Sequence, residues 1–252
     1  MGIIGKIVGG TIGFALGGPL GAIAGAVFGH AFDQEQTAAP VRSGLDPFSA
    51  MEKTQLAFFV STFSMLAKLA SVDGRVSTKA LDTIESFAEQ DLGLNIRTKE
   101  IAFDIFHTAL NSPASFEDFA QQFYQHFFNR PELLEMMIDI LLRVGLADGA
   151  CTPAQERLIQ GAVHRFQINW ARFEQIRSCH APSNDSAYHI LGCRREDSDE
   201  KIKSCYRRLV QTYHPDKIAG QGLPDEFTQL AREKFEEIQS AFESIKKERG
   251  MR

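Results

Sequence analysis

Apolar residues recur at three- and four-residue spacing over most of this 252-residue chain, and no stretch alternates strictly between apolar and polar. The pattern predicts an all-α protein. Residues 54–177 read as a run of helices, among them "EIAFDIFHTAL", "FEDFAQQFYQHFF" and "RPELLEMMIDILLRVGLADG". Two segments inside it resemble one another. "LAKLASVDGRVSTKALDTI" and "LLRVGLADGACTPAQERLI" each run from an apolar helix through Asp-Gly to a hydroxyl residue and a second helix. Gly74 and Gly149 let the chain turn after the first helix. In the second copy Thr152, Pro153 and Gln155 form a helix start with a capping box; in the first, Ser77 is the cap without a matching Glu or Gln.

A different pattern opens the chain. Gly5, Gly9, Gly13, Gly17, Gly21, Gly25 and Gly29 stand four apart, and the 22 residues from Ile7 to Phe28 carry no charge. As one helix they would measure about 33 Å, enough for a hydrocarbon core of ~30 Å. Small residues four apart (Gly9, Gly13, Gly17, Gly21, Gly25) would let a second helix approach closely, from another copy or another membrane protein. Pro19 leaves a second reading, two short helices joined at "GGPLG" that lie in the bilayer surface or oligomerise. A secretory signal, with Lys6 before it and "AIAGA" as its cut region, and a plain flexible leader are the remaining alternatives. Residues 33–53 are polar with two prolines and read as a linker, and 178–185 as a second joint.

The last segment, 186–252, predicts a helical hairpin. Ile202, Cys205, Tyr206, Leu209, Val210 and Tyr213 line one face of a helix capped by Ser198, with Asp199 and Glu200 in its first turn. Pro224 can open a second helix with Phe227, Ala231, Phe235, Ile238, Phe242 and Ile245 as its stripe. His214, Pro215 and Asp216 fall in the exposed connection between them.

Composition narrows the function. The net charge of −5 gives no reason to expect a nucleic-acid partner. Cys151, Cys179, Cys193 and Cys205 include no C-x-x-C pair and read as reduced, packed thiols. No phosphate-binding G-x-x-x-x-G-K-[ST] loop, catalytic dyad or metal-ligand spacing is present, so neither an enzyme nor a cofactor is expected. Asp73, Asp148 and Glu156 are the candidate acidic patch. An EF-hand is not supported, since the twelfth position counted from Asp148 is Ile159.

These segments carry a resemblance. "LADGACTPAQE" is similar to the TerB-like helical domain, with Asp148 and Glu156 matching, while "SVDGRVSTKAL" departs from it by placing Leu81 where an acid is expected. "YHILG", "IKSCYRRL", His-Pro-Asp and "KFEEIQSAFE" resemble a J-domain. The order of anchor (1–32), TerB-like bundle (54–177) and J-domain (186–252) resembles the DjlA-type membrane-anchored J-proteins of Gram-negative bacteria. The resemblance implies a co-chaperone that stimulates ATP hydrolysis by a DnaK-type chaperone and helps load client protein. It implies an activating loop of His214, Pro215 and Asp216 and a basic docking surface of Lys203, Arg207, Arg208 and Lys217. It also implies a single-pass inner-membrane protein with its C-terminal domains in the cytoplasm. The alternative expectation makes the bundle primary, a cation- or stress-responsive binding domain with the J-domain as output.

Overall fold

The computed structural model describes residues 16–34, 49–180, 186–220 and 223–251, and helices are the only regular elements among them. Helix α1 spans Gly18–Gln34, α2 Ala50–Ala70, α3 Thr78–Ser86, α4 Ile96–Asn111, α5 Phe116–Phe127, α6 Pro131–Gly145, α7 Pro153–Arg165 and α8 Trp170–Ser178. The C-terminal segment adds α9 (Ser186–Ile190), α10 (Asp199–Tyr213), α11 (Pro215–Ala219) and α12 (Asp225–Arg249).

Helix α2 is the axis of the bundle. Its first four residues, Ala50 to Lys53, fall inside the stretch read as linker, because Ser49 and Glu52 form a reciprocal capping box. Every residue from Leu56 to Ala67 is buried, so the helix has no solvent face over three turns. Helices α1, α4, α5 and α6 surround it. Phenylalanines supply much of the filling: Phe58 sits edge-on to Phe123 and Phe127, and Phe123 meets Phe166.

The two Asp-Gly segments meet. Ser77 caps α3 and its hydroxyl donates to Asp148 at 2.9 Å; Thr152 caps α7 and its hydroxyl donates to Asp73 at 2.7 Å. Each aspartate thus fixes the cap of the other copy's helix. Gly74 and Gly149 adopt φ of +94° and +96°, the left-handed conformation that the turn before each cap requires.

The leader does not continue as one helix through its described part. Gly17 and Gly18 take φ of +61° and +53°, and α1 starts there with Pro19 in its first turn, where a missing N–H costs nothing. No helix among the described residues is long and apolar enough to cross a membrane. Instead α1 packs on the bundle, with Leu20, Ile23, Ala24 and Phe28 buried and Gly21 buried beside them. Gly9, Gly13 and the start of the glycine ladder lie outside the described residues.

The C-terminal hairpin is built as its apolar stripes require. Ile202, Leu209, Ile238 and Ile245 are buried, and Tyr206 stacks on Phe242 with centroids 4.0 Å apart. Phe227 and Leu223 behave differently. Phe227 is 0% exposed and its ring contacts Phe58, Phe59 and Phe87, all bundle residues, at 4.9 to 6.3 Å. The Gln55 side chain donates to the Leu223 carbonyl at 3.1 Å. The hairpin therefore shares its core with the bundle. Truncating Phe227 to Ala should cost about 3–5 kcal/mol and lower the urea midpoints of bundle and hairpin signals together. Two separated transitions, with only the hairpin shifted, would contradict a shared core.

Candidate functional site

His214 ends α10 in an extended conformation (φ −63°, ψ 123°), and Pro215 opens the one-turn helix α11. The connection expected as a loop therefore contains a helical turn, which proline's fixed φ favours. The Asp216 amide donates to His214 Nδ1 at 3.2 Å, so the imidazole presents Nδ1 as an acceptor. The Phe235 ring of α12 meets the imidazole edge-on at 5.5 Å. His214 is half-buried between these contacts, while the Asp216 carboxylate is exposed.

The basic residues divide between two faces. Lys203, Arg207 and His214 follow one another at helical spacing along α10; Arg207 is exposed, with its Nε donating to the Lys203 carbonyl at 3.2 Å. Arg208 and Lys217 turn toward the bundle. Arg208 lines a cleft of about 310 Å³ with Glu132 and Glu135, and Lys217 pairs with Glu132 at 3.4 Å.

That acidic surface was not singled out in the sequence. Glu132, Glu135 and Asp139 stand at i, i+3 and i+7 on α6, one stripe of a helix that is apolar on its remaining faces. This is the signal that could have found it, since acids confined to one line of a core helix need a partner on that line. Glu135 accepts from Arg172 at 2.6 Å and from the Thr212 hydroxyl at 2.7 Å. Asp139 lies 2.8 Å from His180 Nε2 and 3.6 Å from Lys234 Nζ, and accepts from the Tyr213 hydroxyl. Burial pushes the Asp139 carboxyl up, but the charges of Lys234 and His180 outweigh it and hold the group well below the usual carboxylate range. Tyr213 is pushed well up by burial and by the same carboxylate, and Lys234 is raised by Asp139.

Gly192 secures the other end of the hairpin. It has φ +64°, and a Cβ there would stand 2.7 Å from the Gln175 carbonyl and 2.8 Å from Ser178 Oγ on α8. At the hairpin's base Arg249 bonds the Tyr188 hydroxyl at 2.9 Å, the Asp197 carbonyl at 2.8 Å, Asp199 at 2.9 Å and the Arg195 carbonyl.

The candidate acidic patch is not one cluster of available carboxylates. Asp73 and Asp148 receive the cap hydroxyls described above, and Glu156 holds Arg177 through two bonds, 2.6 and 3.2 Å. Among the described residues no group of three or more His, Cys, Asp or Glu side chains is placed to hold a metal ion.

Comparison with known proteins gives three family matches in order: the co-chaperone DjlA transmembrane domain over residues 1–47, the tellurite resistance protein TerB over 59–178, and the DnaJ domain over 186–250. The co-chaperone protein DjlA of Coxiella burnetii is 30% identical over 87% of this chain and 88% of its own length. Those of Shewanella oneidensis and Escherichia coli K12 are 29% and 26% identical, over 77% and 81% of this chain and 79% and 84% of theirs. No solved structure gives a significant match.

Removing the charge of Asp139 (Asp139→Asn) should cost about 3 kcal/mol at pH 7, because Lys234 is left without its counter-charge. The native carboxyl titrates below its unfolded value, so its contribution is full above about pH 4 and is lost as pH falls toward the depressed native value. Denaturant melts should show the wild-type advantage at pH 7 and its decline below about pH 4. An advantage independent of pH would exclude the ionised carboxylate as its source.

Proposed function

Because the chain belongs to the DjlA co-chaperone family, we propose that it acts as a membrane-anchored J-protein that stimulates ATP hydrolysis by a DnaK-type chaperone. One observation carries the reading. The His214-Pro215-Asp216 turn stands at the end of an amphipathic helix, with Asp216 and Arg207 exposed while the opposite side of that helix is committed to the bundle. A partner has one face to use. Asp216 offers a carboxylate to a partner arginine, a charge-assisted bond that the neighbouring fixed proline makes less costly to order. Lys203 and Arg207 supply a positive rim for an acidic patch on the chaperone, which speeds and orients encounter more than it tightens the complex. Lys217 and Arg208 belong to the intramolecular contact with α6 and contribute to the partner surface only at its edge.

The chaperone performs the ATP chemistry and this chain supplies a docking geometry. Its C-terminal domains would lie in the cytoplasm, where ATP and the DnaK-type partner are found. The TerB-like bundle then selects clients or partners, and the glycine-rich leader is the anchor, with self-association through the glycine ladder as a further property.

The full chain in detergent should raise steady-state ATP turnover of a cognate DnaK-type chaperone, and His214→Gln should abolish the increase without changing the melting temperature. Arg207→Glu should weaken the apparent affinity several-fold at low salt and less at high salt. Absence of stimulation by the intact protein would refute the reading.

A further inference from the structure

The bundle carries a built binding groove for a helix. Helix α1 lies against α2, α4 and α5, and its entry is read by one side chain of α5. Gln122 is 8% exposed and uses both ends of its amide. Its nitrogen donates to the Leu16 carbonyl at 3.0 Å and to the Gly17 carbonyl at 2.8 Å; its oxygen accepts from the Leu20 amide at 2.9 Å. The Leu20 amide is one of the N–H groups that a helix start leaves unpaired, and the Gly17 carbonyl, which already accepts from the Gly21 amide at 2.8 Å, takes Gln122 as a second donor. Gly18 makes the approach close, since a Cβ there would stand 3.0 Å from the Gln122 amide oxygen. Ahead of Gln122's grip the ligand side chains Leu20, Ile23, Ala24 and Phe28 are sealed against the bundle.

The same residues belong to the segment that matches a transmembrane domain. They cannot be buried in the groove and in lipid at once. Hydrocarbon tails are as apolar as a protein core, so Leu20, Ile23 and Phe28 gain about equally in either place. The balance is then set by the polar terms, and Gln122 provides them on the protein side. We propose that the groove of α2, α4 and α5 is a binding site for the chain's own residues 16–28, latched by Gln122, and that a bilayer competes with it for this segment. In water residues 16–28 are sheathed in the bundle; at a membrane they leave, and the groove is vacated. The proposal rests on the anchor reading but not on the chaperone reading.

Flotation of the full chain with phosphatidylcholine vesicles at limiting lipid tests it. Gln122→Ala removes three hydrogen bonds from the sheathed state only, so its lipid partition should rise about tenfold or more. Ala24→Leu, in which the added side chain clashes in the groove but is welcome in lipid, should move the same way without altering the bundle. Vesicles should also lower the melting temperature of the wild-type bundle, because its groove loses its cover. Equal flotation of wild type and both variants overturns the exchange alone. Failure of all three to float overturns both the exchange and the anchor.

Discussion

A carboxylate set into a helix that is otherwise apolar must be neutralised where it stands, and Asp139 governs how the two halves of this molecule meet. Its donors come from the end of the bundle (His180) and from both long helices of the hairpin (Tyr213 and Lys234). None of the three could be withdrawn without leaving charge under-compensated at a buried carboxylate. Glu135 repeats the arrangement one turn away with Arg172 and Thr212, and Glu132 with Lys217 at the rim. The stripe therefore fixes rotation and register of α10, while Phe227 fixes depth. Apolar burial alone would hold the hairpin to the bundle but would tolerate several orientations; the charged contacts select one.

Much of this was readable from residue spacing. The apolar faces of α10 and α12, the Ser198 and Thr152 caps and the all-helical bundle follow from periodicity and end chemistry, which act over a few residues. The acidic helix end chemistry of Asp73 and Asp148 was readable as type but not as partner, since the hydroxyl each receives lies more than 70 residues away. Phe227 illustrates the same boundary. Its place in an apolar stripe was evident, but the stripe does not say which neighbour it meets, and it leaves the hairpin to join Phe58, Phe59 and Phe87.

The leader shows a different limit. Hydropathy reports that a segment avoids water, and lipid and protein core satisfy that demand alike. The break at Gly17 and Gly18 falls inside the "GGPLG" joint that was one of the alternatives in the sequence, and backbone conformation places it there. The groove is visible only through Gln122, a glutamine in an amphipathic helix with nothing in its own sequence to mark it. His214, Pro215 and Asp216 are the reverse case, marked in the sequence as a candidate set because their types are rarely juxtaposed between phased helices.

Gly192 gives the arrangement a last meaning. With no side chain it lets the turn after α9 rest directly on the Gln175 carbonyl, while Phe227 is locked in the core at the hairpin's other end. A segment pinned at both ends cannot swing like a domain on a tether. The surface of the bundle and the exposed Asp216 carboxylate are therefore held a constant span apart, set by a fixed geometry and not by the length of a linker.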